Sequence, residues 1–307
     1  MNQSLEVSIR LGASLLVLIS MAAWEVLRPR RRLTERKMPR WANNLALALL
    51  NALATRWLLP ITAVGTAALA TERGWGLWPA LPWPAWLEMV LTVALLDLAI
   101  YLQHVLFHAV PGLWRLHRVH HADLDFDVTT GSRFHPFEIV LSALFKMGVV
   151  AALGATVWAV VLFEVLLNAT ALFNHGNVAL PEGLDRWLRW LVVTPDMHRV
   201  HHSTQLRESN CNFGFNLPWW DRLFGTYLAQ PERGHLAMEI GVQDLREERQ
   251  VERLPGLLTL PFLPLAHTPQ SPGGISAGGN FPGGRSPGGQ SYEAGRSSAR
   301  PPQRTSS

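Results

Sequence analysis

The sequence has a single cysteine, Cys211, and only 3 tyrosines among 307 residues. One thiol excludes a disulfide framework, a thiolate zinc finger and a cysteine-ligated iron–sulfur cluster. Charged residues are also scarce, at 16%, against roughly a quarter in a typical soluble domain. By contrast, there are 13 tryptophans and 12 histidines, and 48% of the residues are hydrophobic. This composition favours a membrane protein and directs attention to the histidines.

The C-terminal stretch 268–307 is rich in glycine, proline and serine and repeats the tripeptide Pro-Gly-Gly. It offers too little apolar surface to offset the entropy of ordering, so we predict a disordered tail. A short segment, 246–267, precedes this tail. The remainder divides into an N-terminal transmembrane hairpin region, 1–84, and a histidine-box domain, 85–245.

Long apolar runs predict membrane-crossing helices at 8–27, 45–69, 86–110 and 139–173. The first run has the length that a bilayer core of ~30 Å requires at ~1.5 Å per residue. Arg56 and Pro60 interrupt the second run. The last run is too long for one crossing at the usual tilt, so we expect it to fold back near Gly154.

The loop between the first two runs is strongly basic, and only Glu35 opposes its positive charges. These are Arg28, Arg30, Arg31, Arg32, Arg36, Lys37 and Arg40. Short loops of this kind stay in the cytoplasm, so the third run returns its C-terminal end to that side. We therefore predict an all-α integral membrane protein with two transmembrane helical hairpins and a cytoplasmic, histidine-rich helical cap. Its expected location is a bacterial cytoplasmic membrane.

Three histidine boxes dominate the second half of the chain, one H-x3-H and two H-x2-H-H. They comprise His104 and His108, then His117, His120 and His121, then His198, His201 and His202. Residues at i, i+3 and i+4 share a helix face, so we expect each box to point its imidazoles at a common place. Neutral imidazole suits iron, copper, nickel and zinc. So many ligands exceed one ion, whereas two ions with four or five nitrogen ligands each would use them.

The other histidines are weaker candidates. His135 lies in Ser-Arg-Phe-His-Pro and His175 in Asn-His-Gly-Asn, whereas His235 and His267 stand alone and are predicted to be surface residues. A zinc protease box would place a glutamate beside its first histidine, but Val105 follows His104. A haem held by two histidines would leave most of the boxes unexplained.

The order of the boxes between hydrophobic hairpins resembles the fatty acid hydroxylase and sterol desaturase superfamily. The resemblance covers about 91–228 and includes Asp97, Tyr101 and the segments 133–138, 174–177, 195–202, 212–214 and 220–227. It implies a non-haem di-iron centre, held by histidines, that uses O2 against a lipid C–H bond. The implied ligands are His104, His108, His117, His120, His121, His198, His201 and His202, with His175 as a ninth and His135 as a tenth ligand or a partner of one. Val105 departs from the basic residue that family members often carry at this position.

Hydroxylation is favoured over desaturation because it needs a single rebound step and much of the family performs it. The lipid stays open among sterols, fatty acyl chains, carotenoids and modified polar lipids. The chain shows no flavin fold, haem motif or cysteine cluster, so we expect a separate reductase or electron carrier. The alternatives are a non-catalytic membrane protein that binds or transports metal and a zinc-dependent lipid hydrolase. No nucleic-acid partner is expected, since membrane topology explains the basic loop.

Several acidic residues accompany the boxes. Asp97 precedes His104 by two helical turns, so it is expected either to support the site or to bond a neighbouring helix. Asp123, Asp125 and Asp127 follow the second box. They are expected either to orient imidazole N–H groups or to be solvated loop acids.

Overall fold

The fold is known from a computed structural model that describes residues 3–264, and it is built from helices. Within those residues no β-strand forms, and extended backbone makes only isolated bridges such as the one between Pro29 and Val178. The predicted all-α class is thus confirmed for this part of the chain. The predicted tail at 268–307 and His267 lie outside the described residues.

The first part of the chain forms the longer helices. They are α1 (Gln3–Leu27), α2 (Lys37–Leu58), α3 (Ala63–Arg73), α4 (Ala85–Ala109), α5 (Pro111–His121), α6 (Pro136–Leu153) and α7 (Val157–Asn174). Short helices follow: α8 (Glu182–Leu188), α9 (Pro195–His201), α10 (Leu206–Ser209), α11 (Trp219–Leu223), α12 (Gly234–Ala237), α13 (Glu248–Val251) and α14 (Leu254–Thr259). Single 3₁₀ turns occur at Trp78–Ala80, Thr130–Ser132 and Leu260–Phe262.

Among the described residues, five segments are long and apolar enough to cross a membrane. They are Val7–Leu27, Lys37–Ala80, Ala85–Ala109, Pro136–Leu153 and Val157–Asn174. Large apolar side chains point outward from them, including Leu16 at 68% exposed, Leu49 at 61% and Val90 at 57%. In water such surfaces would be costly, whereas lipid tails cover them without penalty. The chain is therefore a multi-pass membrane protein.

The last apolar run breaks at Gly154, as predicted. Helix α6 ends there with a left-handed residue at φ 69°, and α7 starts at Val157. A Cβ on Gly154 would meet the Trp75 carbonyl oxygen at 2.1 Å, so glycine is required by close packing as well as by its φ angle. Beyond the turn, Lys146 Nζ lies 2.5 Å from Glu164 Oε1, so the two helices run back past each other.

The second apolar run, 45–69, is not one helix. Helix α2 ends at Leu58 and α3 starts at Ala63, with Pro60 between them. Proline lacks the N–H that a continuing helix needs. Helix α2 also begins at Lys37, well before the apolar run, and one face of its first turns is buried, with Arg40 bonded to Asp123 and Asn44 to Thr129. Hydropathy could not show this, because the buried residues include the charged Arg40.

Two apolar cores hold the histidine-bearing helices in place. In the first, Leu96 of α4, Val150 of α6 and Phe163 of α7 are buried together at the membrane-crossing level. In the second, Val119 of α5 packs with Leu257 of α14. Helix α5 therefore lies between the membrane helices and the C-terminal segment.

Candidate metal centre

The structure brings nine of the ten predicted ligands into two groups of buried histidines. The ligand nitrogens within each group lie within 4.8 Å of one another. The five-histidine group comprises His104, His108, His117, His121 and His201. The four-histidine group comprises His120, His175, His198 and His202. This division matches the expected four or five nitrogen ligands for each of two ions.

The two groups adjoin, because both H-x2-H-H boxes contribute to each of them. On α5, His117 and His121 belong to the five-histidine group and His120 to the other. The rings of His121 and His202 stack across the boundary with centroids 4.5 Å apart. The prediction that each box points at one common place is therefore wrong for these two boxes. Viewed along the helix axis, the side chains at i and i+4 are closest in direction, whereas the side chain at i+3 lies on the opposite side of position i.

The five-histidine group presents converging electron pairs. Nδ1–H of His104 donates to the Phe213 carbonyl oxygen at 2.7 Å, and Nδ1–H of His201 donates to the Cys211 carbonyl oxygen at 2.8 Å. Each ring therefore keeps its lone pair on Nε2. The two Nε2 atoms nevertheless lie only 3.0 Å apart. No hydrogen is available between them, so this arrangement is favourable only around a cation.

His117 extends the same pattern. Its Nδ1 lies 2.6 Å from Glu138 Oε1, and its Nε2 lies 3.0 Å from His104 Nε2. A carboxylate that holds Nδ1–H leaves the Nε2 lone pair for a metal. On the same side of the group, His108 Nε2 lies 3.1 Å from His121 Nε2. The donor set therefore fits a transition-metal ion with several imidazole ligands.

The four-histidine group has a similar arrangement around His175. Nδ1–H of His175 donates to the Ala171 carbonyl oxygen at 2.7 Å. Its Nε2 lies 3.2 Å from His120 Nε2 and 3.1 Å from His198 Nε2. Both ring nitrogens of the fully buried His202 have no hydrogen-bond partner. A buried polar atom without a partner costs about 1–3 kcal/mol, and a metal ion would satisfy it.

Three local features place the histidines. His104 and His108 lie one turn apart near the C-terminal end of α4. The chain turns back at Pro111, where α5 begins. Helix α9 begins at Pro195 behind the capping residue Thr194, whose side chain accepts from the Met197 N–H. His175 follows directly on the last residue of α7. Each ligand therefore lies on or next to a helix end, where the membrane helices give way to the cap.

Burial keeps the imidazoles neutral, which is the form that binds metal. It lowers the pKa of His117 to about 3 and that of His175 to about 4, both from an ordinary value of 6.5. The other histidines of α5 and α9 have pKa values lowered well below 6.5 for the same reason, and their neighbouring imidazoles add to the effect.

These pKa values predict acid sensitivity in the metal-free protein. Below pH 6.5 the unfolded chain binds protons at His117 and His175 whereas the folded chain does not, so stability falls with falling pH. For each of these histidines we expect a loss of about 1.4 kcal/mol of unfolding free energy per pH unit, down to the lowered pKa. Denaturant titration of chelator-treated protein in detergent checks this. An unfolding free energy unchanged between about pH 7 and about pH 5 would contradict it.

His135 is not brought to either group. It lies immediately before α6, where its Nδ1 accepts a hydrogen bond from the Phe137 N–H at 3.2 Å. Its Nε2 lies 3.4 Å from the Leu258 carbonyl oxygen. In this structure His135 caps a helix and contacts the C-terminal segment. His235, predicted at the surface, is 5% exposed, so that prediction is wrong.

The four aspartates singled out in the sequence, Asp97, Asp123, Asp125 and Asp127, form their hydrogen bonds and ion pairs with residues outside the two histidine groups. Asp97 accepts hydrogen bonds from backbone and indole N–H groups of 216–220. Of the two roles expected for Asp97, it therefore has the second, hydrogen bonding to a neighbouring segment. Asp123 and Asp127 are buried and bind Arg40, and Asp125 accepts from the Thr34 N–H. Both expectations for these three acids are therefore wrong. Burial raises the pKa of Asp123, but Arg40 and Arg133 outweigh this effect and hold it at about 2.

Glu138 is the partner that sequence reasoning missed. It lies in the motif that contains His135 and is 4% exposed, and its carboxylate binds His117. The available signal was an acidic residue in the first turn of a largely apolar membrane helix.

We expect Glu138→Gln to weaken metal binding about 10-fold and Glu138→Leu to weaken it up to about 100-fold, because His117 loses the group that orients its ring. Metal content after graded chelator dialysis measures this. The exposed Glu182→Gln serves as the control. Equal retention of metal in Glu138→Leu and Glu182→Gln would show that the carboxylate does not support the ligand.

Comparison with known proteins agrees with this geometry. The family model described as fatty acid hydroxylase matches residues 89–226, which include every member of both histidine groups. The chain is 29% identical over 222 residues to the ornithine lipid hydroxylase OlsE of Rhizobium tropici, covering 68% of this chain and 64% of that protein. It is 28% identical over 157 residues to the alkylglycerol monooxygenase of Xenopus tropicalis, covering 50% of this chain and 32% of the relative.

A third relative is the human cholesterol 25-hydroxylase, 27% identical over 144 residues, with coverage of 45% of this chain and 50% of that protein. The chain thus spans between about a third and just under two thirds of these relatives' lengths. No solved structure gave a significant match. All members of both histidine groups lie inside the segment 89–226, which is similar to the fatty acid hydroxylase family.

Proposed function

We propose that this chain is a membrane-bound non-haem di-iron oxygenase that hydroxylates a C–H bond of a lipid. The observation that carries the proposal is the pair of adjoining histidine groups, in which the Nε2 lone pairs of His104 and His201 face each other at 3.0 Å and both ring nitrogens of the buried His202 lack a hydrogen-bond partner. The names of the relatives support it, because each describes a hydroxylase or monooxygenase.

The five-histidine group would hold one iron ion and the four-histidine group the other. His135 is left out of the ligand set that we propose, because the structure places it at the start of α6. When bound, the two ions would supply the activation of O2 that C–H oxidation requires. Electrons would come from a separate reductase or electron carrier, since a single cysteine cannot hold an iron–sulfur cluster.

The chain's own residues orient the imidazoles and keep water away. Backbone carbonyl oxygens and Glu138 fix the tautomers of the rings, so their Nε2 lone pairs point inward. Aromatic side chains enclose the groups: Phe134 stacks on His120 at 4.3 Å, and Trp114 lies 4.9 Å from His108. A dry, preorganised site of this kind suits oxidation of an unactivated carbon.

The topology that we propose places the histidine groups at the cytoplasmic face. Arg30 binds Asp196 at 3.0 Å and Arg31 donates to the Met238 carbonyl oxygen, so the basic loop lies on the histidine side of the membrane helices. The positive-inside rule assigns that side to the cytoplasm. Two helical hairpins under a cytoplasmic cap, with domain boundaries after residues 84 and 245, remain part of the proposal.

For the substrate we propose a lipid with a polar headgroup, by similarity to the ornithine lipid hydroxylase, which aligns over 68% of this chain. The test is turnover by purified protein in vesicles that contain ornithine lipid, with a chemical reductant and isotope-labelled O2. The expected product is the lipid with one labelled oxygen atom, absent for His202→Ala. If vesicles that contain the protein instead transport metal ions and consume no O2, the alternative of a metal-transport protein is favoured.

A further inference from the structure

A segment of the cap is bound to the midpoint of a membrane-crossing helix. Asp97 is the central residue of α4. Its carboxylate accepts from the N–H groups of Asn216 at 3.2 Å and Leu217 at 3.1 Å, and from Trp220 Nε1–H at 2.8 Å. The first two donors belong to the segment that leads into α11, and the third belongs to α11 itself.

A second set of contacts holds the same segment one turn further along α4. The ring of Tyr101 stacks on Phe224 with centroids 5.5 Å apart, and its hydroxyl lies 2.9 Å from Thr226 Oγ1. Residues 216–226 therefore run alongside α4 between Asp97 and Tyr101. These residues do not lie beyond the C-terminal end of α4.

The length of α4 fixes the depth of these contacts. Its 25 residues span ~37 Å, whereas the hydrocarbon core of a bilayer is ~30 Å thick. For a helix that crosses this core upright, the midpoint lies more than ~10 Å inside either boundary. Asp97 and the backbone groups that bind it are consequently below the membrane surface.

The outer side of this segment is apolar and exposed. Trp219 is 48% exposed, Leu223 69% and Phe224 52%. Helix α8 and the residues after it continue the surface with Trp187 at 71% and Trp190 at 57% exposed.

Two hydrogen bonds join the two helices. Trp219 Nε1–H donates to the Trp190 carbonyl oxygen at 2.7 Å, and Arg222 Nη2–H donates to the Arg189 carbonyl oxygen at 3.0 Å. We call Trp187, Trp190, Trp219, Leu223 and Phe224 the α8–α11 surface.

Cationic side chains border the surface. The Arg222 guanidinium lies 3.9 Å from the centroid of the Trp190 ring, and Arg186 lines a shallow hollow with Trp187 and Trp190. Tryptophan beside arginine is typical of the bilayer interface, where the ring lies at headgroup level and the cation meets phosphate.

We propose that the α8–α11 surface is immersed in the bilayer, with Leu223 and Phe224 among acyl chains and Trp187 and Arg186 at the headgroups. The occupant of the surface is lipid, because Phe224 packs against Tyr101 of the membrane-crossing helix α4 and arginine lies at the border of the surface. The cap is thus partly embedded in the membrane from the histidine side. The proposal goes beyond the proposed oxygenase function and does not depend on catalysis.

Site-directed spin labelling tests the proposal directly. In a Cys211→Ser background, single labels are attached at Leu223→Cys and Trp187→Cys, in vesicles of phosphatidylcholine and phosphatidylglycerol. Collision rates are measured with O2, which concentrates in hydrocarbon, and with a water-soluble nickel chelate. Leu16→Cys on α1, 68% exposed, is the lipid-facing control, and Glu239→Cys, whose side chain is 53% exposed, is the aqueous control.

The label at Leu223 is expected to match that at Leu16 and to meet the nickel chelate at least tenfold less often than the label at Glu239. The label at Trp187 is expected at intermediate depth. A Leu223 label as accessible to nickel as that at Glu239 would overturn the proposal and place the surface in water. A label shielded from both reagents would also overturn it, because a protein partner would then cover the surface. Neither result bears on whether the enzyme turns over lipid.

Discussion

Replacing His121 or His202 by alanine is expected to remove about one metal ion per chain and at least ~100-fold of the oxygenase activity. Loss of a residue that only hydrogen-bonds to a ligand already lowers metal affinity or activity by about 10–100-fold. Loss of a ligand itself should lower them at least as much. His121 belongs to the five-histidine group and His202 to the four-histidine group. Each variant should therefore deplete a different centre.

The control is His235→Ala, which removes a buried histidine that belongs to neither group. Metal per folded chain, measured by mass spectrometry after gel filtration, should be unchanged in this variant. Loss of as much metal from His235→Ala as from the other two variants would contradict this assignment of ligands, and so would native metal content in both His121→Ala and His202→Ala.

Arg40→Ala is expected to lower the free energy of unfolding by about 3–5 kcal/mol, the usual cost of leaving a buried charge without its partner. The Arg40 side chain is 1% exposed and lies 2.8 Å from Asp123 Oδ1 and 2.5 Å from Asp127 Oδ2. Both carboxylates are fully buried. Asp123 directly follows the segment that carries three of the histidines, so this ion cluster connects α2 to the centre.

Denaturant or thermal unfolding in mild detergent measures the change, with the exposed Arg36→Ala as the matched control. Asp127→Asn provides a milder variant, because Arg40 keeps Asp123 as its charged partner, and we expect it to cost about 1–3 kcal/mol. Stabilities of Arg40→Ala and Arg36→Ala within about 1 kcal/mol of each other would show that the cluster does not brace the fold.

What could be predicted from the sequence depended on how local each signal was. The histidine boxes are short-range patterns, and nine of their predicted members and companions come together. The break at Gly154 also followed from a local limit, the length of one membrane crossing. The division of each H-x2-H-H box between two groups did not follow, because it depends on where the other helices approach α5.

Long-range partners were beyond the sequence. Glu138 binds His117 from 21 residues away, and Arg40 binds Asp127 from 87 residues away. Residues so far apart along the chain show no recognisable spacing in the sequence. His135 shows the opposite case, in which a local explanation was available. A histidine directly before Pro136, the first residue of a helix, is well placed to cap that helix, whereas the family resemblance offered it as a tenth ligand or as a partner of one.

The most direct test of the di-iron proposal is the iron content of protein purified in mild detergent after expression in iron-supplemented medium. One iron ion is expected for each of the two histidine groups, retained through gel filtration. A folded chain that holds no tightly bound metal would contradict it, because the converging ring nitrogens would then need another explanation.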